Sequence, residues 1–115
     1  MEILFYKNKD GDCPFGEWLD TFDFDKRIKI DKIIDKLKDG SYGDYKLLEK
    51  SAVVEFKFSL DKNYRMYYSI FDSIIVIFFI LEEEQVPNDI FEITKKCNVF
   101  FEDFILRTLK RKYSL

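Results

Sequence analysis

Residues 53–81 read VVEFKFSLDKNYRMYYSIFDSIIVIFFIL, and this stretch decides the fold. Val53–Phe58 alternates: Val54, Phe56 and Phe58 point one way and Glu55 and Lys57 the other, the period-two pattern of a strand with one buried face. Asp61-Lys62-Asn63 makes a turn. Tyr64–Phe71 alternates again, with Arg65, Tyr67 and Ser69 on one face and Tyr64, Met66, Tyr68 and Ile70 on the other. Asp72-Ser73 is a second turn. Ile74–Leu81 is continuously apolar and rich in β-branched residues, as expected of a central strand covered on both faces. Turns this short join antiparallel neighbours, so the stretch predicts a three-stranded antiparallel meander. Its eight-residue apolar run falls well short of the about 20 residues that a membrane-spanning helix needs.

Upstream, Ile3, Leu4 and Phe5 within Glu2–Tyr6 predict a short first strand, and Asn8–Asp12 with Gly11 a turn. A helix starts at Asp12 or Cys13, with Pro14 in its first turn, where the missing N–H costs nothing. Phe15, Trp18, Leu19 and Phe22 follow at helical spacing on one apolar face. A second helix runs from about Asp25 to Asp39, with Ile30, Ile33, Ile34 and Leu37 as its apolar stripe and Lys29, Lys32 and Lys36 on another face. The Asp25–Lys29 pair supports it weakly, and Gly40 stands where a left-handed cap belongs. The Asp23-Phe24 joint is so short that the two helices form a hairpin. Ser41–Ser51 reads as a loop. Downstream of the meander come the acidic run Glu82-Glu83-Glu84 and Pro87. A short helix over 87–97 follows, burying Ile90 and Ile93 with Phe91 as a further candidate, and then an amphipathic helix over 99–112 carrying Phe100, Phe101, Phe104, Ile105 and Leu109. The order β-α-α-β-β-β-α-(α) predicts a single α+β domain over residues 1–115.

Composition narrows the function. The chain has 115 residues, which suits one domain with one core, and thirteen Phe with seven Tyr fill that core quickly. There is no histidine, so histidine-based triads and acid–base chemistry are excluded. The two cysteines, Cys13 and Cys97, form no CxxC pair and read as inert buried thiols; no zinc site or other cofactor is expected. The net charge of −3 disfavours a broad nucleic-acid surface. The charge is uneven, however. Residues 26–39 hold six basic and three acidic residues, residues 82–93 five acidic and none basic, and residues 107–112 four basic and none acidic. A local basic groove is compatible with that distribution. Met1-Glu2 opens without a basic n-region or cleavage site, so a cytoplasmic protein is expected.

Several blocks stand at a characteristic spacing: the Pro14-Phe15 helix start with Glu17-Trp18-Leu19, the helical hairpin with Arg27 and Ile28, and Gly43-Asp44 with Lys46. They continue with Glu55-Phe56-Lys57 and Tyr64-Arg65-Met66-Tyr67-Tyr68 and end at Asp89-Ile90. Over roughly residues 1–97 the chain resembles the RelE/ParE superfamily of bacterial toxins, and most closely its HigB-like, addiction module killer branch. The resemblance implies a RelE-like α+β fold with two N-terminal helices packed on an antiparallel sheet, residues 97–115 adding a C-terminal helix. It implies the toxin of a type II toxin–antitoxin module, restrained by a cognate antitoxin and acting as an mRNA interferase on ribosome-bound mRNA. In that chemistry a 2′-OH attacks the adjacent phosphate, and the protein supplies a base, cations for the developing charge and an acid for the leaving oxygen.

Within that resemblance Lys57 and Arg65, on neighbouring strands, share a sheet face and converge on a phosphate. Tyr67 lies two residues after Arg65 on the same face and is placed to stack a base or donate a proton. Glu55 shares the face of Lys57 as base or ion-pair partner. Lys46, in the preceding segment, and Lys29, Lys32 and Lys36 are the candidate RNA-binding lysines. Each has a bland counterpart: Lys29, Lys32 and Lys36 as a solvated helix face, Tyr67 as sheet packing, Arg65 as the partner of Glu55 in a structural ion pair, and Lys46 as loop cover. Trp18 reads as core, and the basic run 107–112 as a helix terminus suited to the dipole, with a contact to ribosomal RNA as the alternative. Phe100, Phe101 and Phe104 either complete the core or expose a surface for an antitoxin or a second copy in a homodimer.

The chain departs from the family pattern in two places. Lys57 stands where members usually carry Arg, losing bidentate phosphate geometry. After the central strand the branch usually shows a glycine-containing turn and a Lys. Here Ile80-Leu81-Glu82-Glu83 occupies that stretch, with Glu83 in place of the Lys. The carboxylates repel RNA, so weakened ribonuclease activity is expected. Two other functions stay open: a non-catalytic, ParE-like toxin binding a protein such as gyrase, and an inactive toxin fold retained as a binding module.

Overall fold

A computed structural model describes residues 1–40 and 43–112, with the side chain of Lys112 left aside. Ser41 and Tyr42, part of the segment read as a loop, lie outside the described residues. The elements are β1 (Glu2–Phe5), α1 (Pro14–Leu19), α2 (Phe24–Lys38), β2 (Asp44–Leu47), β3 (Val54–Ser59), β4 (Asn63–Phe71), β5 (Ile74–Glu82), a 3-10 turn (Glu83–Gln85) and α3 (Ile90–Lys112). Five strands form one sheet in the order β1-β5-β4-β3-β2. The α+β class matches the expectation from sequence.

The meander forms as its alternation predicts, with β3, β4 and β5 antiparallel in succession. The β4–β5 turn places Asp72 and Ser73 at φ 50° and 64°, the left-handed pair that a tight two-residue hairpin connection demands. The sheet as a whole is mixed rather than antiparallel, because β1 pairs parallel to β5. A strand buried on both faces has backbone groups to satisfy along both edges. The turn to β4 satisfies one edge of β5, and the distant N-terminal segment satisfies the other.

The helices occupy both faces. On one side α1 and α2 pack Phe15, Ile30 and Leu37 against Phe56, Tyr64, Met66, Tyr68, Ile75 and Ile77. Trp18 belongs to this core, edge-on to Phe22 and Tyr64 at 4.7 and 5.5 Å. The Asp23 side chain caps α2, accepting from the Lys26 N–H at 3.0 Å, and Gly40 follows the helix at φ 89°. On the other side α3 covers Tyr67, Val76, Phe78 and Phe79 with Ile93, Cys97 and Phe100.

Two further differences from the sequence reading concern the C-terminal half. First, the expected helices 87–97 and 99–112 are one continuous helix, Ile90–Lys112. No Gly or Pro interrupts it, and Ile90, Ile93, Cys97, Phe100, Phe101 and Phe104 all join the same cluster. The stripe runs unbroken through Asn98 at three- and four-residue steps. The aromatic trio therefore completes the core: Phe101 and Phe104 meet Phe71 edge-on, and Phe100 stacks on Tyr6 at 4.4 Å. Second, β4 and β5 slip register between Tyr67 and Tyr68, whose partners are Phe79 and Ile77. Phe78 is the extra residue of a β-bulge. Strict alternation would send Phe78 and Phe79 to opposite faces, whereas here both join the α3-side cluster.

The C-terminal half of α3 is pinned to the segment just after β1 by a polar network. The Tyr6 hydroxyl donates to Asp103 Oδ2 at 2.8 Å, and Arg107 donates to Asp103 and to the Lys7 carbonyl. Burial first, and then the Asp103 hydrogen bond, push the Tyr6 phenol up to about 12. The basic helix end is thus partly committed, since Arg107 has an internal partner.

Cys97 is fully buried, and burial pushes its thiol up to about 12, whereas Cys13 is partly accessible. A thiol reagent at neutral pH is expected to label Cys13 in the native chain and Cys97 only after unfolding. Equal labelling of both in the native chain, read by mass spectrometry, would contradict the packing of α3. Among the described residues no helix is long and apolar enough to cross a membrane.

Candidate functional site

The segment read as a loop contains a strand. β2, Asp44–Leu47, adds antiparallel to β3 and forms the sheet edge. All four of its residues are exposed; their alternation, Asp44-Tyr45-Lys46-Leu47, is a strand signal of the shortest length, and Leu48 ends it. The strand places Lys46 precisely enough to define two cross-strand rows. Asp44 pairs with Lys57 and Lys57 with Arg65, while Lys46 pairs with Glu55 and Glu55 with Tyr67. Residues directly opposite in a ladder share a face. Lys46, Glu55, Lys57, Arg65 and Tyr67 therefore all lie on the α3 side of the sheet, at the end away from β1.

Within this group depth sorts the roles. Glu55 is 1% exposed and Tyr67 0%. The Tyr67 hydroxyl donates to Glu55 Oε2 at 2.9 Å, and the Arg65 Nη1 contacts the same oxygen at 3.4 Å. Burial above all, then the Glu55 hydrogen bond, hold the Tyr67 phenol far above its ordinary range. Its ring packs against Phe79 at 5.3 Å. The expectation that Tyr67 stacks a base or supplies a proton is accordingly corrected: its face is covered and its proton is engaged. Glu55 is likewise too deep to touch a substrate as a base. Lys46 and Lys57 are exposed, and the Arg65 side chain is 21% exposed. These three are the cations that the site presents to solvent, beside the exposed carboxylates of Asp44, opposite Lys57, and of Glu83.

The outer partner of Arg65 is Glu83, whose Oε1 accepts from Nη2 at 3.0 Å. Burial opposes the Arg65 charge, but the Glu83 hydrogen bond and the Glu55 charge outweigh it and hold the guanidinium above its ordinary value. In turn the Arg65 hydrogen bond, against a smaller effect of burial, holds the Glu83 carboxyl below the usual range, with Asn63 and Lys57 acting in the same direction. The acidic run is not uniformly solvated: Glu82 pairs with Lys62 at 3.3 Å. Among the described residues, Glu55 Oε1 and Arg65 Nε are buried without a hydrogen-bond partner.

Arg65 lines a cleft of about 450 Å³ bounded by Lys46, Leu48, Val86, Pro87 and Ile90. Glu83 lines a neighbouring cleft of about 230 Å³ with Asp44, Lys57 and Asn63. The Arg65–Glu83 pair stands between them. Neither Asn63 nor the Glu83 contact was identified from sequence, although the signal was present. Asn63 lies two residues before Arg65, and Glu83 two after Leu81, the cross-strand partner of Arg65.

Lys29, Lys32 and Lys36 do not join this site. They are exposed on α2, whose Ile30 and Leu37 pack on the opposite face of the sheet. The sheet separates these three candidate RNA-binding lysines from Lys46, Lys57 and Arg65, and they form a solvated helix face. Among the described residues no cluster of three or more Cys, Asp or Glu converges as a metal would require. The chain matches no family model, no curated protein and no solved structure.

Proposed function

We propose that this chain is the toxin of a type II toxin–antitoxin module, a RelE/HigB-like mRNA interferase with weakened activity, restrained by a cognate antitoxin. The observation that carries the reading is the gathering of Lys46, Lys57 and Arg65 on one face of three adjacent strands, with buried Glu55 and Tyr67 behind Arg65. Cations fixed in this way suit the charge that develops on phosphorus when a 2′-OH attacks, because their orientation is set before the substrate arrives. In this reading Lys57 and Arg65 meet the scissile phosphate and Lys46 the flanking strand; water takes the 2′-OH proton and the Lys57 ammonium gives one to the departing 5′-oxygen. Glu55 and Tyr67 are positioning residues, acting through Arg65. Weak activity follows from Glu83, which shares the Arg65 guanidinium.

The inactive-module reading also has its observation: Arg65 is paired by carboxylates on both sides. Cell-free translation separates the two. Added to a ribosome-programmed reaction, the chain is expected to yield cleaved mRNA, mapped by primer extension, and Lys57→Ala is expected to abolish the cuts. Intact mRNA at high protein concentration would support the inactive module. Growth arrest without cleavage would point to a protein target.

A further inference from the structure

We infer that the Glu83 carboxylate occupies a phosphate site: the space bounded by Arg65, Lys57 and Asn63 takes one phosphate group of an RNA strand, and Glu83 is the internal anion that must leave first. The identity of the strand rests on the RNA-directed reading above; the anion site itself does not.

The argument begins with what is fixed and what is free. Arg65 is held from beneath by Glu55, which is itself buried and hydrogen-bonded by Tyr67. The guanidinium therefore keeps its place when its outer partner changes. Glu83 is anchored differently. Its side chain is 43% exposed and reaches Arg65 from the first residue of a three-residue 3-10 turn. That turn is secured without the Glu83 side chain, because the Glu82 N–H donates to Gln85 Oε1 at 3.1 Å and Glu82 pairs with Lys62. The Glu83 side chain can thus rotate away with the backbone in place.

The position it would vacate has the chemistry of an anion site. Glu83 accepts from Arg65, lies in one cleft with Lys57, Asn63 and the exposed carboxylate of Asp44, and is stabilised in its charged form by Arg65, Asn63 and Lys57. A carboxylate in such a place presents two oxygens where a phosphate presents more, so a phosphate engages the same donors and carries at least the same charge. Glu83 lines the cleft of about 230 Å³, and its partner Arg65 the cleft of about 450 Å³. Withdrawal of the Glu83 side chain would open the space beside Arg65, between Lys57 in the first cleft and Lys46 in the second, for the nucleotides on either side of the bound phosphate.

A surface ion pair without this role would behave differently, and Glu84 supplies the comparison. It is exposed, belongs to the same turn, and has the same formal charge. The full chain would be titrated with inorganic phosphate by calorimetry, and with a short single-stranded RNA by fluorescence anisotropy, as wild type, Glu83→Gln and Glu84→Gln. Glu83→Gln is expected to tighten phosphate binding by about tenfold, and Glu84→Gln by less than about twofold. Adding Lys57→Ala to Glu83→Gln should reverse most of the gain. Equal gains from the two Gln variants would mean a general charge effect and would overturn the proposal. So would the absence of saturable phosphate binding by folded Glu83→Gln. Tightened phosphate binding without tightened RNA binding would support the anion site and contradict the RNA-directed reading.

Discussion

Arg65→Ala is expected to destabilise the folded chain by about 3 kcal/mol, because it strands a buried carboxylate. Glu55 is 1% exposed, and its charge has two partners: the Tyr67 hydroxyl and Arg65. Removing the guanidinium leaves one neutral hydrogen bond to support a carboxylate beneath the sheet surface. The loss belongs to the orphaned group more than to the ion pair, whose 3.4 Å contact is long and leaves Glu55 Oε1 and Arg65 Nε without partners among the described residues. Changing both residues, Glu55→Gln with Arg65→Ala, should therefore recover a large part of the stability, since a neutral amide tolerates the site and still accepts from Tyr67. Urea unfolding of the four combinations measures the coupling. A loss below about 1 kcal/mol for Arg65→Ala would show that Glu55 finds water or another partner. For tests of function, Arg65→Lys is the better probe, because it keeps a cation over Glu55 while removing the two-sided guanidinium geometry.

Phe78→Ala should cost still more, about 4 kcal/mol, out of a total that for domains of this size is about 5–15 kcal/mol. Phe78 is fully buried, and as the bulge residue of β5 it is driven into the α3-side core next to Phe79. Its ring lies between those of Tyr6, Phe100 and Phe101, with centroids 6.0 to 6.3 Å away. Those neighbours belong to the rigid join between β1 and the middle of α3, which the Tyr6–Asp103–Arg107 network holds in place. The space left by the ring therefore collapses poorly, which is the condition for a large cavity cost. Phe91→Ala, on the exposed side of the same helix, should move the denaturation midpoint little. Comparable shifts for the two variants would mean that α3 does not pack as described.

What could be read from the sequence follows from what each signal encodes. The meander was legible because β3 and β4 alternate and their turns are polar. The apolar stripes of α1 and α2 were legible because their spacing is helical. The bulge at Phe78 was not, since Ile74–Leu81 is apolar at every position and carries no period to break. β2 carries its alternation, Asp44-Tyr45-Lys46-Leu47, over four residues only, and Leu48 breaks the period, so little sets it apart from a loop. The parallel pairing of β1 with β5 joins segments about 70 residues apart in sequence, and no local pattern records such a pairing. In the site, alternation alone put Glu55, Lys57, Arg65 and Tyr67 on one face. Their depth was not readable, because a strand Tyr serves equally as core or as surface. Nor could spacing reveal that the α2 lysines lie across the sheet from these residues. Glu83 reads in the sequence as a carboxylate beside a cationic face; its hydrogen bond to Arg65 depends on the 3-10 turn that follows β5, which no periodicity records.

The most direct test of the central claim is growth after expressing the chain from a tightly repressed promoter, beside a Lys57→Ala/Arg65→Lys variant checked for folding and equal accumulation. The toxin reading predicts that the wild-type chain slows or arrests growth and that the variant relieves it. Normal growth with abundant, folded wild-type chain would contradict the reading, and arrest that persists undiminished in the variant would remove the Lys57–Arg65 face from the account.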